Sequence, residues 1–285
     1  MRVLILGAGG QLAHDLQRVM GDWDLTTLRH ADLDVCDHDR VRSRLSDIRP
    51  DVVINTAAFH RVDDCEEQVR KAFEANTFAV RNLARCCAEL NSVLVHISTD
   101  YVFGGEKRTP YAEADRPHPL GVYGASKLAG EYFVRNDCPN HLLVRTSGLY
   151  GIAGSSGKGG NFVETMIRMA KEGGPIRVVE DQVLTPTWTR SLAETMKELL
   201  EKRSRGLYHV TNRGACSWYD FAARIFDLVG KKPDLAPITT EAYGARARRP
   251  AYSVLGHGRM LEAGIAEPPE WEDSLRGYLV EAGHI

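Results

Sequence analysis

Short, almost wholly apolar runs alternate along the first half of the chain with longer segments whose apolar residues recur at helical spacing. The runs Arg2–Leu6 (RVLIL), Leu25–Leu28, Asp51–Thr56 (DVVINT), Val93–Ser98 (VLVHIS) and His141–Thr146 (HLLVRT) predict strands. Strands this apolar are suited to a parallel sheet covered on both faces. The segments near 10–20, 38–48, 66–90 and 119–136 predict the helices between them. Repeated β-α units predict an α/β fold with a doubly wound parallel sheet and right-handed crossovers.

After about residue 150 the texture changes. Gly151–Gly160 (GIAGSSGKGG) reads as a loop, and Asn161, with Glu164 three residues on, caps the helix that follows. A strand at 176–180, a helix at 190–202, a strand at 207–211 and a helix at 217–229 come next. Residues 231–269, rich in proline and arginine, are expected to be irregular and to close over a ligand. Trp218 and Phe221 are expected to be core.

Composition narrows the function. A formal charge of -2 gives no general affinity for nucleic acid or for anionic membranes. No apolar segment approaches the ~18 residues of a membrane span, and the apolar N-terminal run is too short for a signal peptide. Cysteines 36, 65, 86, 87, 138 and 216 include no C-x-x-C pair, so they are read as free thiols, and no metal site is expected. The expected location is the cytoplasm.

The first strand runs into Gly7-Ala8-Gly9-Gly10-Gln11-Leu12-Ala13. Glycines between a strand and a helix permit a tight turn and let a phosphate approach the helix N-terminus, the arrangement that holds a dinucleotide. Ala13 replaces the third glycine of the usual pattern by the smallest possible side chain. The second strand ends Thr27-Leu28-Arg29-His30, and a guanidinium there suits the 2′-phosphate of NADPH. Asp34 could still meet the adenosine, which leaves NADH possible.

HPLGVYGASKLAGE, residues 118–131, sets Tyr123 and Lys127 on one helix face. An ammonium one turn away is expected to lower the phenol's pKa. Thr99, at the end of the fourth strand, could offer its hydroxyl to a substrate carbonyl while Tyr123 supplies the proton. Together these groups describe carbonyl reduction.

The G-x-x-G-Q-L turn, NTAAF…VD..E (55–66), STDYVFGG (98–105), YGASKLAGE (123–131), RTS.LYG (145–151), DQ...PT (181–187), GLYHVTN (206–212), SWYDFA (217–222) and RRP..SVL (248–255) resemble the extended short-chain dehydrogenases/reductases, and within them the dTDP-4-dehydrorhamnose reductase family. The resemblance covers nearly the whole chain. It implies a Rossmann domain over 1–147 and a smaller, interleaved C-terminal lobe over 148–285 that mainly binds a nucleotide sugar. It implies the catalytic set Thr99, Tyr123 and Lys127. Gly7, Gly10, Gln11, Leu12, Arg29, Asp34, Val35, Ala58, Phe59, His60, Tyr123 and Lys127 should line the cofactor. Thr99, Asp100 and Arg248 should meet the substrate, and the chain should be a monomer or a homodimer.

Three departures from the family's pattern stand out. Gly148 replaces the tryptophan of RTSW, which contacts the substrate, so either the sugar differs or loop 151–160 supplies a replacement. Leu184 replaces a glycine. Some members bridge a dimer through magnesium held by glutamates, whose matching positions here are Asp15 and Arg190. GSSGKG (154–159) lacks the Ser or Thr of a nucleotide-triphosphatase loop. The cluster Arg246, Arg248 and Arg249 is either solvated surface or a clamp for the substrate's pyrophosphate. His60 and His96 read as packing or cofactor-lining residues. Alternatives to the rhamnose assignment are a reductase or epimerase of another nucleotide sugar, or a non-catalytic binding subunit on the same fold.

Overall fold

The computed structural model describes residues 1–153 and 160–285; the 154–159 segment discussed above lies outside them. The first half contains β1 (Arg2–Leu6), α1 (Gln11–Val19), β2 (Asp24–Leu28), α2 (His38–Ile48), β3 (Val52–Asn55), α3 (Val62–Glu67), α4 (Val69–Phe73), α5 (Ala79–Glu89), β4 (Val93–Thr99), α6 (Val122–Asp137) and β5 (His141–Thr146). The second contains β6 (Leu149–Tyr150), α7 (Phe162–Glu172), β7 (Pro175–Val179), β8 (Val183–Leu184), β9 (Thr187–Trp188), α8 (Thr189–Glu201), β10 (Gly206–His209), β11 (Cys216–Ser217), α9 (Trp218–Leu228), β12 (Asp234–Ile238), α10 (Thr240–Tyr243), α11 (Gly258–Glu262) and α12 (Trp271–Glu281).

Six parallel strands form the central sheet in the order β10-β5-β4-β3-β1-β2. The inner strands β1, β3, β4 and β5 are largely apolar because both faces are covered, whereas edge strand β2 (DLTTL) is partly exposed. On one face Val3, Ile5, Val52, Ile54 and Val144 pack under Leu12 and Leu16 of α1 and Leu192, Met196 and Leu199 of α8. On the other, Leu4, Leu6, Val53, Leu94 and Leu143 pack under Val41 and Leu45 of α2, Val80 and Leu83 of α5 and Val134 of α6. The second half thus returns to the sheet, adding edge strand β10 and covering helix α8. A separate aromatic core holds the remaining elements: Tyr150, Phe221, Trp271 and Tyr278 lie within it, and Trp218 packs half-buried on its margin.

Two expectations need correction. The helix over 66–90 is interrupted: Gln68 leaves helical geometry, and Glu74–Phe78 forms a wide π turn before α5. The cause is Asn76, whose buried amide bonds to Phe59 and to Ser126 of α6. Residues 231–269 are also not irregular throughout, because β12 pairs in parallel with β7. Pro237 is tolerated there because β12 is an edge strand, whose missing N–H interrupts no ladder on its open side.

Helix α6 is fixed to the sheet by a buried ion pair. Arg145 of β5 donates from Nε and Nη2 to the two carboxylate oxygens of Glu131, at 2.8 and 2.6 Å. Ser98 of β4 donates to the same carboxylate at 2.5 Å. Both charged side chains are 2% exposed. Removing one member of such a pair strands the other charge in the interior, so Glu131→Ala should lose about 3–5 kcal/mol of stability, measured by urea unfolding.

Candidate active site

The carboxyl ends of β1, β3, β4 and β5 open on one edge of the sheet, where ligands bind in folds of this class. At the first of these, Gly7 has φ +78°, and a Cβ there would lie 2.8 Å from both Ala57 N and Thr56 Oγ1. Only glycine fits. The Gly7 and Ala8 amides donate to Leu28 O, which ties the turn to the end of β2. Gly10 begins α1 without a side-chain cap, so the first-turn N–H groups, those of Gln11 and Leu12 among them, are available to an anion. Two buried atoms at this edge, Gln11 Oε1 and Thr146 Oγ1, have no hydrogen-bond partner among the described residues. The open glycine cradle and these unpaired atoms fit a bound dinucleotide.

The other residues expected at the cofactor surround this turn. Arg29 is exposed directly after β2, in a turn closed by Asp32, whose carboxylate accepts the Arg29 amide at 2.9 Å. Asp34 accepts the Cys36 amide at 2.9 Å, and Val35 is buried in the core beneath it. Ala58, Phe59 and His60 form a half-buried loop after β3. Asn76 holds that loop by accepting from Phe59 N and donating to Phe59 O, both at 2.9 Å. The same amide donates to Ser126, so the loop and α6 are set by one residue. Nothing in the local sequence pattern marks Asn76 for this role.

Tyr123 and Lys127 do share one face of α6. The start of that helix is capped from a distance by Glu66, which accepts the Val122 amide at 2.8 Å. The lysine is anchored to β4. Lys127 Nζ donates to Ile97 O at 2.5 Å and lies 3.3 Å from His96 Nε2. Burial lowers the Lys127 pKa to about 8, with Glu131 one turn on opposing the shift. Burial likewise holds His96 well below its ordinary value, aided by the lysine charge. The Tyr123 phenol is pushed above its ordinary value by burial, partly offset by a hydrogen bond with Thr99. The phenol therefore keeps its proton at neutral pH.

Thr99 and Asp100 bond to each other at the end of β4. The Thr99 hydroxyl donates to Asp100 Oδ1 at 3.0 Å and accepts the Tyr101 amide at 3.2 Å. Its proton is directed at the carboxylate. Asp100 is only 3% exposed, and its other oxygen accepts from Ser147 and Ser253.

The arginine cluster divides in two. Arg246 pairs with Glu67, and Arg249 pairs with Asp63 at 2.8 Å. Arg248 is exposed and lines a cleft with Glu66, Tyr101, Gly121 and Tyr123. At the positions matched to magnesium ligands, Asp15 accepts from Thr189 and faces Arg18, while Arg190 pairs with Glu194 and Glu281. Guanidinium groups already neutralise these carboxylates, so the set does not fit a metal ion.

Residues 1–283 match the family model described as RmlD substrate binding domain. The chain is 41% identical over 282 residues to the spore coat polysaccharide biosynthesis protein SpsK of Bacillus subtilis (strain 168), covering 98% of this chain and 97% of that one. It is 38% identical over 290 residues to a dTDP-4-dehydrorhamnose reductase of Aggregatibacter actinomycetemcomitans, covering 96% and 97%. The crystal structure of the dTDP-4-dehydrorhamnose reductase of Bacillus anthracis in complex with NADP superposes with a TM-score of 0.94 at 39% identity, covering 98% of this chain and 99% of that one.

Two of the departures noted in the sequence meet in space. Gly148 has φ +55°, and a Cβ on it would lie 2.8 Å from Leu184 Cδ1 and 3.1 Å from Pro186 Cα. Leu184 therefore excludes a side chain at 148 in this backbone conformation. Gly148→Trp should cost about 2–5 kcal/mol through backbone strain and overpacking. Leu184→Gly should cost a similar amount, about 2–5 kcal/mol, by leaving a cavity. The double variant should lose clearly less than the sum. Urea unfolding of all three checks this, and simple additivity would show that the two sites are independent.

Proposed function

This chain belongs to the family of the RmlD substrate-binding domain, and on that premise we propose that it reduces the 4-keto group of a dTDP-4-dehydro-6-deoxy sugar with NAD(P)H, converting dTDP-4-dehydro-L-rhamnose to dTDP-L-rhamnose. The observation that carries the reading is the Tyr123 phenol, which lines a cleft with Tyr101 and Arg248 and whose pKa burial holds above its ordinary value. Reduction of a ketone needs a proton donor where negative charge develops on oxygen. A phenol held above its ordinary pKa by burial is such a donor.

In this reading residues 1–147 hold the cofactor and 148–285 mainly hold the sugar nucleotide. Gly7, Gly10, Gln11 and Leu12 cradle the pyrophosphate. Arg29 meets the adenosine 2′-phosphate, which makes NADPH the preferred cofactor, with NADH possible through Asp34. Val35, Ala58, Phe59 and His60 line the adenosine and nicotinamide path, and Tyr123 and Lys127 contact the nicotinamide ribose. The bound nicotinamide supplies a hydride. Tyr123 gives its proton to the substrate oxygen, Thr99 orients the phenol, and the Lys127 charge stabilises the phenolate left behind. Arg248 pairs with the substrate's phosphates.

A second reading has one specific observation behind it. Gly148 and Leu184 reshape the wall where the family places a tryptophan, so a different dTDP-linked 4-keto sugar would be accommodated by the same chemistry. No described helix is long and apolar enough to cross a membrane. We place the enzyme in the cytoplasm, where its thiols stay reduced and its nucleotide substrates are made.

Absorbance-monitored oxidation of NADPH and NADH with dTDP-4-dehydro-L-rhamnose tests the assignment. Turnover should fall by about 100-fold or more in Tyr123→Phe, with NADPH binding retained; unchanged turnover in that variant removes Tyr123 from the chemistry. Arg29→Asp should shift the preference from NADPH towards NADH, and an unaltered ratio would show that Arg29 does not read the 2′-phosphate.

A further inference from the structure

Helix α3 ties together the walls of the cleft that holds Tyr123. Val62 and Glu66 of this helix line the cleft with Gly121, Tyr123 and Arg248. Its carboxylates Asp63, Glu66 and Glu67 are spaced i, i+3 and i+4, so they leave one face of the helix. Glu66 accepts the Val122 amide at 2.8 Å, one residue before Tyr123. Glu67 pairs with Arg246. Asp63 grips the C-terminal segment on both sides of Arg248. Its Oδ1 accepts the Ala247 amide at 3.0 Å, and its Oδ2 accepts from Arg249 Nη2 at 2.8 Å. Arg249 Nη1 donates back to Ala247 O at 3.2 Å, which closes residues 247–249 into a loop around this one carboxylate.

Arg248 stands at the tip of that loop. It is exposed, whereas Ala247 before it and Pro250 after it are buried. Arg246 and Arg249 are committed to carboxylates of α3, and among the described residues Arg248 has no carboxylate partner. Further along, Val183 N donates to Ala251 O at 2.9 Å and Ser253 N donates to Val183 O at 2.8 Å. Those bonds hold the downstream side of the segment, and α3 holds the upstream side. Partial burial raises the Asp63 pKa, but the bonds from Arg249 and the Ala247 amide outweigh it and hold the carboxyl below its ordinary value. Asp63 is therefore ionised at neutral pH.

Building on the reductase reading above, we propose that Asp63 is a positioning residue for substrate binding: by holding Ala247 and Arg249 it fixes Arg248 at the cleft of Tyr123, where that guanidinium meets the phosphates of the sugar nucleotide. Asp63 acts through the backbone of the segment and does not touch the substrate. The gain is preorganisation, because the loop that carries Arg248 is ordered before the ligand arrives.

The sign of the effect is diagnostic. A carboxylate near a phosphate site repels the ligand, so charge alone would make Asp63→Asn bind more tightly. Positioning requires the reverse. The test is calorimetric titration of the full chain with dTDP, with NADPH at saturation so that the dinucleotide cradle is filled. Arg248→Gln should weaken dTDP binding by about tenfold or more. Asp63→Asn and Arg249→Gln cut the same link from its two ends, and each should weaken dTDP binding by about tenfold with NADPH affinity unchanged. Asp63 is 40% exposed, so Arg249→Gln leaves no buried charge unpaired. In the Arg248→Gln background, Asp63→Asn should have little further effect, because the group it positions is gone. The KM for the keto sugar should rise with dTDP dissociation in both variants while kcat falls less than about threefold. Unchanged or tighter dTDP binding in either variant, full additivity with Arg248→Gln, or an equal loss of NADPH affinity overturns the proposal. If the wild type binds no dTDP, the reductase reading fails and the positioning role falls with it. If the wild type binds dTDP and the variants bind it equally well, the positioning role alone is overturned.

Discussion

The buried pair of Glu131 and Arg145 fixes the position of everything that follows in the site. Glu131 lies one helical turn beyond Lys127 and two beyond Tyr123, so one face of α6 carries all three. Docking Glu131 against β5 therefore sets the depth and rotation of the other two. The pair is saturated by further contacts: Ser98 donates to the carboxylate, and the guanidinium lies over the Phe103 ring at 5.2 Å. Its Nη1 also approaches His209 of β10, whose pKa burial and the arginine charge push down to about 3. A neutral imidazole here adds no charge beside the buried pair.

Burial, more than pairwise charge, sets the protonation states around Tyr123. It drives Lys127, His96 and His209 down and Tyr123, Tyr101 and Asp100 up. The result is a low-dielectric pocket in which the phenol carries a proton and the lysine still carries most of its charge at neutral pH. That combination suits a site that must give up a proton and then tolerate a phenolate, and it arises from packing α6 tightly on the sheet.

Much of this was legible in the sequence. The inner strands of the central sheet are covered on both faces, and that condition writes an apolar run at each of β1, β3, β4 and β5. The glycine turn and the Tyr123–Lys127 spacing are local signals and could be read locally. The break in the helix at 68 and the wide turn at 74–78 could not, because they answer to Asn76 reaching Phe59 and Ser126. Ser147, Ser253 and Glu66 act across long sequence separations as single polar residues and leave no periodic trace. Helical spacing also gave the face on which Lys127 lies but not the acceptor it finds, the Ile97 carbonyl of β4. β12 was hidden by Pro237, which an edge strand accepts and a central strand would not.

The position of β10 has a consequence for how the chain is made. Five strands of the sheet are complete once Thr146 has been synthesised, yet β5 has no neighbour on its outer side until β10 emerges about 60 residues later. Until then an apolar parallel strand presents unpaired amides and carbonyls, and the face destined for α8 is bare. Domains at the N-terminus usually fold first on the ribosome, but here the nascent first half is an unfinished sheet with an adhesive edge. The chain must wait for its own later segment, and premature termination anywhere between 147 and 206 would release a product prone to pair with other chains.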